Sequence, residues 1–386
     1  MKKVIFIIAL FFIIFIFSNK SIDISDNKVE KRGVFISYIE LNNYIKGKDK
    51  VTSQKNIDKM INNIKNFGFN IIILQVRSFS DAIYESNIFP WSSTISTSEG
   101  VSPGYDVLNY FIDKAHKEDI FLYAWINPYR VRNSEDMDSI TEENPAYKYI
   151  GTDILFIENG IFYNPSKQEV EDLIVEGVKE IVSNYKVDGI LFDDYFYPNE
   201  EIDNEQYEEY CQKKEEISRD DYHLMIVNEM IERVHDVCSK YDVLFGVSPD
   251  GNISNNYDKV FADVKTWMSS DKYIDYIMPQ IYYGFFNESR AFKNTVDEWD
   301  SLITNDKIDL LVALAFYKVG KIDEYAKSGS LEWSLNSDII MREIMLSRNL
   351  KHYNGFALFR YDNLFNESLF TETSMKEIEN TKKILK

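Results

Sequence analysis

The chain has 386 residues, enough for one large barrel or two ordinary domains, and with 45% hydrophobic and 15% aromatic residues it can bury a substantial core. A formal charge of −20 argues against nucleic acid and other polyanionic partners, whose binding needs clustered Lys and Arg. Two cysteines, Cys211 and Cys238, suggest neither a disulfide framework nor a metal cluster; two free core thiols are expected, with a single bridge as the alternative.

At the start of the chain Lys2 and Lys3 precede an apolar run over 4–17, and 18–20 is polar again. Roughly fourteen apolar residues suit a signal-peptide core and fall short of a membrane span. No small-x-small cleavage site is clear, so an uncleaved N-terminal anchor is the alternative. Residues 1–19 therefore read as signal or anchor, 20–30 as a linker, and 31–386 as one domain. The expected location is extracellular or in the cell envelope, with membrane contact only through that first segment.

Strand-like segments then alternate with helix-like ones. The predicted strands are 33–38, 70–77, 120–127, 187–194, 243–249, 276–282, 310–317 and 355–360. Apolar residues recur at helical spacing over 57–67, 107–117, 170–185, 222–241, 257–269 and 339–349. Eight strands in strict alternation predict an α/β fold, a (β/α)8 TIM barrel, rather than an open doubly wound sheet. No Gly-x-Gly-x-x-Gly turn follows the first strand, which weakens a dinucleotide-binding reading, and no cofactor is expected. Long segments follow the second, third and fourth strands (78–105, 128–165 and 195–220), all on the C-terminal face, where long βα loops build binding clefts. The first of them carries Phe89-Pro90-Trp91, with Trp91 a candidate sugar platform or equally a hydrophobic plug.

The fourth strand holds the chemistry. Ile190, Leu191 and Phe192 run into Asp193 and Asp194, followed by Tyr195, Phe196, Tyr197 and Pro198. Pro198 ends any strand, having no N–H for the ladder. Adjacent Asp residues also suit a turn or a helix cap. Four aromatics around them favour a site, because carboxyls in apolar clefts are where perturbed acids and bases are found. Side chains alternate along a strand, so parity groups the polar strand ends. Gln75 goes with Arg77, Tyr123 and Trp125 with Asn127, Ser248 with Asp250, Gln280 with Tyr282, and Arg360 with Asp362. A lone polar strand end is most often a loop anchor; six converging predict a polar, ring-sized pocket.

No Gly-x-Ser-x-Gly elbow or plausible cysteine nucleophile is present. His116, His223, His235 and His352 all fall in helical or loop stretches, so no metal site is expected. Carboxylates, amides and tyrosines remain, the set that glycoside hydrolysis uses.

Several segments resemble a bacterial family of secreted, glycosyl-hydrolase-family-10-like proteins found largely in cell-envelope contexts. They are Leu74-Gln75-Val76-Arg77 with Ser78-Phe79-Ser80-Asp81-Ala82, Ala124-Trp125-Ile126-Asn127-Pro128-Tyr129-Arg130, the stretch from Asp188 to Pro198, and Met278-Pro279-Gln280-Ile281-Tyr282. The resemblance, from about Gly33 to Asp362, implies a (β/α)8 glycosidase. In that family the residue matching Leu191 is often His and the one matching Asp250 is commonly uncharged, so Asp250 is a poor candidate for a general catalyst. Leu191-Phe192-Asp193-Asp194 is also similar to the Asp-Asp pair of O-GlcNAc hydrolases and related β-N-acetylhexosaminidases. There the substrate's 2-acetamido group attacks the anomeric carbon, the first Asp orients that amide, and the second protonates the leaving oxygen.

The resulting expectation is an exported glycoside hydrolase acting on an amino-sugar envelope glycan such as peptidoglycan. Asp193 and Asp194 would be catalytic. Arg77, Trp91, Asn127, Tyr195, Asp250, Gln280, Tyr282, Arg360 and Asp362 would contact substrate. The alternatives are a retaining glycosidase on a neutral polysaccharide, in which Asp193 is the nucleophile, and a non-catalytic carbohydrate-binding barrel. A polysaccharide deacetylase is disfavoured by the scarcity of His near carboxylates.

Overall fold

A computed structural model describes residues 29–214 and 216–386; the expected signal or anchor segment lies outside the described residues. Eight parallel strands close into a barrel: β1 (Lys31–Ile36), β2 (Ile71–Arg77), β3 (Phe121–Ile126), β4 (Gly189–Phe192), β5 (Leu244–Val247), β6 (Tyr276–Ile277), β7 (Asp309–Leu314) and β8 (Tyr353–Leu358). Each pairs with its sequence neighbours, and β1 closes the ring by pairing with both β2 and β8. The predicted TIM barrel is present. Its strands carry near-continuous apolar runs because both faces are covered, the outer by helices and the inner by the barrel's own filling.

That filling is a cluster of Phe35, Ile71, Ile73, Tyr123, Trp125, Leu191, Tyr276, Met278, Leu311, Ala313 and Ala357. Two tyrosines share the interior, Tyr123 and Tyr276, with ring centroids 5.4 Å apart. Gly246 makes room for them: a Cβ there would come within 2.4 Å of Tyr276. Tyr276 cannot easily move aside, since its hydroxyl donates to the Ile190 carbonyl at 2.8 Å.

Three of the barrel helices begin where a short polar side chain satisfies a free N–H group. Asp49 caps Lys50–Phe67, Asp106 caps Val107–Lys117 and Ser218 caps Arg219–Lys240. The helix Gln168–Asn184 joins Arg219–Lys240 in flanking β4. The predicted helix over 257–269 is in fact two short ones, Ile253–Asp258 and Val264–Trp267. Between them Phe261 takes a left-handed φ of 51° that no helix continues through. The predicted sixth strand is also shorter. Pro279 has no N–H to give, and pairing resumes only as single bridges from Gln280 to Asp250 and to Ala313. Both cysteines are free; Cys238 is buried, but Cys211 is half-exposed on the helix Asn204–Lys213 rather than in the core.

The long segment after β3 has its own antiparallel sheet of Arg130–Arg132, Leu155–Ile157 and Ile161–Tyr163. It is clasped to the segment after β2. Buried Arg132 pairs with Glu99, and Glu99 also accepts from Thr141 Oγ1 at 3.0 Å and Asn144 Nδ2 at 2.8 Å. Asn144 Nδ2 reaches the Ser80 carbonyl at 2.7 Å, and the Ser80 and Tyr163 hydroxyls are hydrogen-bonded at 2.7 Å.

Candidate active site

A cleft of about 310 Å³ opens at the C-terminal ends of the strands, at the small end of ligand-pocket sizes. Asp193, Asp194, Tyr195, Asn127, Gln280 and Tyr282 line it together with Phe35, Tyr38, Gln75, Trp125, Arg130, Ser248, Tyr317 and Phe359. Aromatic rings form much of its wall, as a surface that stacks on sugar rings would require.

Asp193 is the residue after β4 and continues the inward parity of Leu191. Its Oδ2 accepts the Trp125 Nε1–H at 3.0 Å and an Asn127 Nδ2–H, while Oδ1 accepts the Tyr195 N–H at 3.3 Å. Asn127 is itself held: the Gln75 amide donates to its Oδ1 at 2.7 Å, and Gln75 accepts the Tyr38 N–H at 2.9 Å. A chain of amides thus runs from the backbone after β1 to the Asp193 carboxyl. Asp194 lies beyond the last paired residue, where the chain bends and brings both neighbours to one cleft. Its Oδ1 accepts one side-chain donor, Gln280 Nε2 at 3.0 Å, and that amide also donates to the Ser248 carbonyl at 2.9 Å.

Both carboxyls are held above the ordinary carboxylate range, and burial is the main cause. For Asp193 the neighbouring Asp194 charge adds to the rise, and the Trp125 and Tyr195 donors oppose it. For Asp194 the Gln280 hydrogen bond opposes the rise and the Asp250 charge adds to it. Two adjacent buried carboxyls share one negative charge over the range between their two titrations. The side-chain hydrogen bonds favour that charge on Asp193, which accepts from Trp125 and Asn127 against Gln280 alone on Asp194, whereas the larger upward push, to about 7 on Asp193 and about 6 on Asp194, favours the proton on Asp193.

Five expected substrate contacts stand elsewhere. Arg77 misses the cleft because β2 bulges: Gln75 pairs with Trp125 but Arg77 with Ile126, leaving Val76 as an extra residue that reverses the alternation. Its guanidinium lies 4.4 Å from the Phe89 ring centroid and packs against Gly177, where a Cβ would meet Nη1 at 2.2 Å. Trp91 is not a platform in the cleft; it bridges to Ala82 and is partly buried against the core. Asp250 shapes a turn, accepting the Asn252 N–H at 2.7 Å and Asn255 Nδ2 at 2.8 Å. On β8 it is Ala357 and Phe359 that face inward, so Arg360 points away and pairs with buried Glu40. Asp362 accepts from Asn43 Nδ2 at 3.1 Å and the Tyr44 hydroxyl at 2.8 Å. Arg360 and Asp362 therefore secure the helix Tyr38–Tyr44, whose first residue lines the cleft.

Sequence reasoning groups Gln75 and Trp125 with the pocket by parity without naming them as contacts, and it passes over Arg130 inside a segment that carries the family resemblance. Tyr38 and Phe359 gave no signal beyond residue type. Each histidine sits beside an aspartate, as His116 does with Asp188 at 2.9 Å and His352 with Asp300 at 3.0 Å, and none lines the cleft.

Comparison with known proteins agrees with this architecture. A family model described as Glycosyl hydrolase-like 10 matches residues 30–328. Glycosyl hydrolase DigH of Escherichia coli O6:H1 (strain CFT073) is 31% identical over 344 residues, covering 82% of this chain and 77% of that protein. Glycosyl hydrolase YngK of Bacillus subtilis (strain 168) is 29% identical over 339 residues, covering 82% of this chain and 65% of that protein, so the match spans less than two thirds of the Bacillus relative. The PgaB (BpsB) glycoside hydrolase domain from Bordetella bronchiseptica has a TM-score of 0.58 at 12% identity over 91% of this chain and 99% of its own, a likeness of fold.

Proposed function

The chain belongs to the glycosyl hydrolase-like 10 family, and from that premise we propose that it is an exported hydrolase of an N-acetylhexosamine-containing envelope glycan such as peptidoglycan. The observation that carries the chemistry is the unequal hydrogen bonding of the adjacent aspartates: three N–H donors on Asp193 and the Gln280 amide on Asp194. Glycoside cleavage needs one carboxylic acid to protonate the leaving oxygen and a second, ionised group to stabilise charge at the anomeric carbon.

With the sugar's 2-acetamido group over Asp193, the ionised carboxylate accepts the amide N–H and aims the carbonyl oxygen at the anomeric carbon. As that oxygen bonds to the carbon, the glycosidic bond breaks and Asp194 gives its proton to the departing oxygen. Asp194, now a carboxylate, takes a proton from the water that opens the cyclic oxazolinium, and the pair returns to its starting state. Gln280 keeps Asp194 aimed at the bond, while Tyr282, Trp125 and Phe359 give the sugar and its acetamido methyl an apolar wall. Export rests on the sequence over 2–20 alone.

The test is a leaving-group contrast. A general acid matters most when the leaving group is basic, so Asp194→Ala loses about 10²–10⁴-fold on natural glycans but far less on an activated aryl glycoside. Asp193→Ala is damaged on both, since every leaving group needs the displaced carbon stabilised. If Asp193→Ala is the leaving-group-sensitive variant, the roles are reversed. If the wild-type chain binds chitooligosaccharides and muropeptides without cutting them, it is a carbohydrate-binding barrel.

A further inference from the structure

Arg77 is 2% exposed, yet it makes no ion pair among the described residues, and its Nη1 has no hydrogen-bond partner. The bulge at Val76 turns it away from the cleft and toward the helix Gln168–Asn184, where Gly177 leaves the room that Nη1 fills. Phe89 covers the guanidinium at 4.4 Å to its ring centroid. Glu180, one turn beyond Gly177, is taken up by the Ser86 hydroxyl and the Asn87 N–H. The neighbouring Tyr84 hydroxyl is itself unpartnered, and a neutral dipole leaves the charge in place. A guanidinium cannot shed its charge by deprotonation, and a buried charge without a counter-charge is costly.

Arg77 lines a cavity of about 10 Å³, close to the smallest space that holds one water-sized guest. Arg130, Ser80 and Tyr163 line it as well. The Ser80 and Tyr163 hydroxyls are 2.7 Å apart, so one O–H makes that bond and the other is left to donate elsewhere. The rest of the wall is apolar and carries no carboxylate, in a chain with 63 acidic residues. We infer that this cavity binds a single monatomic anion of the chloride class. A water would satisfy Nη1 but leave the charge, and sulfate or phosphate is too large for the space. The site goes beyond the hydrolase reading and does not depend on which glycan is cut. Ser80 belongs to the segment after β2, and Arg130 and Tyr163 to the segment after β3, so the anion pins the two together behind the cleft wall. Arg130 lines both spaces, and its position beside the aspartates is then held in part by the ion.

The test titrates the purified protein with sodium chloride against sodium gluconate at constant ionic strength, reading the thermal midpoint and the chlorine NMR line width. A ligand that binds only the folded chain raises the midpoint, so chloride is expected to raise it and gluconate to leave it unchanged. Bromide substitutes for chloride and sulfate does not. Loss of a charge-assisted hydrogen bond weakens chloride binding about 10- to 100-fold in Arg77→Gln, and loss of a neutral one about 2- to 10-fold in Tyr163→Phe. Equal responses to chloride and gluconate, or chloride binding unchanged in a folded Arg77→Gln, overturn the inference and leave the cavity to water. Should Arg77→Gln fail to fold, anomalous scattering from bromide-soaked wild-type crystals decides instead. A peak among Arg77, Ser80, Arg130 and Tyr163 supports the site, and bromide found only elsewhere, or not at all, overturns it.

Discussion

Replacing Asn127 by Ala removes one of the two side-chain donors on Asp193 Oδ2 and leaves Trp125 Nε1 at 3.0 Å and the Tyr195 N–H at 3.3 Å. A hydrogen bond to a charged group is worth about 1.5–3 kcal/mol and a pKa unit about 1.4, so Asp193 becomes about one to two units harder to ionise. Its carboxyl already sits above the ordinary range through burial and the Asp194 charge. The lost donor therefore moves the shared proton toward Asp193 and the charge toward Asp194, the reverse of what the reaction needs. The ratio of the productive to the reversed arrangement falls about 10- to 100-fold, and the acidic limb of kcat/KM moves up, by at most about one to two pH units. The assay is a pH–rate profile on an aryl N-acetylhexosaminide, where leaving-group protonation is not limiting, with thermal unfolding as a check that the barrel stands. An acidic limb that stays in place while activity drops would refute the reasoning, because Asn127 would then act on substrate directly and not through Asp193.

Two further outcomes concern stability. Because burial raises Asp193 in the folded state above its unfolded value of about 4, the folded chain holds that proton more tightly than the unfolded one, and the wild type loses stability as pH rises from there through the raised value. Asp193→Asn carries no such charge, so its advantage in denaturant midpoint over the wild type grows between pH 4 and pH 8; a constant difference across that range contradicts the assignment. Gly246→Ala sets a Cβ 2.4 Å from a Tyr276 ring pinned by its hydroxyl, and is expected to cost about 1–3 kcal/mol in urea unfolding with an unchanged slope; a variant as stable as the wild type would mean the ring yields.

The barrel was legible because each strand is a short apolar run between helical periodicities, and Asp193 and Asp194 because they interrupt the fourth such run. Parity carried Asn127 and Gln280 correctly into the cleft, where alternation continues unbroken past the strand ends. It failed at Arg77, since a one-residue bulge at Val76 leaves no mark that separates it from regular strand. It failed at Arg360 because Phe359 and Arg360 are equally plausible inward residues, and only the buried Glu40 decides between them. Asp250 and Asp362 are polar strand-end residues whose partners lie two and five residues on in a turn, or more than three hundred residues back on the helix Tyr38–Tyr44, and neither kind is visible to alternation. Arg130 went unnoticed as a site residue because its place beside Asp193 and Asp194 exists only once the strand Arg130–Arg132 has folded over the barrel mouth.

The clasp between the segments after β2 and β3 bears on how a glycan arrives. Glu99 gathers Arg132, Thr141 and Asn144 around one buried carboxylate, so the cleft wall that carries Arg130 and faces Tyr195 is ordered before any sugar binds. A flexible wall would surrender conformational entropy at the moment of encounter, typically about 0.5–1.5 kcal/mol for each side chain newly fixed. Here that loss falls on folding instead. Recognition then resembles the docking of a chain onto a rigid template, with discrimination between sugars expressed in how long each stays rather than in how fast each comes. A single charge-removing change at Glu99, which does not line the cleft, would convert the template into a surface that has to assemble itself around every sugar it meets.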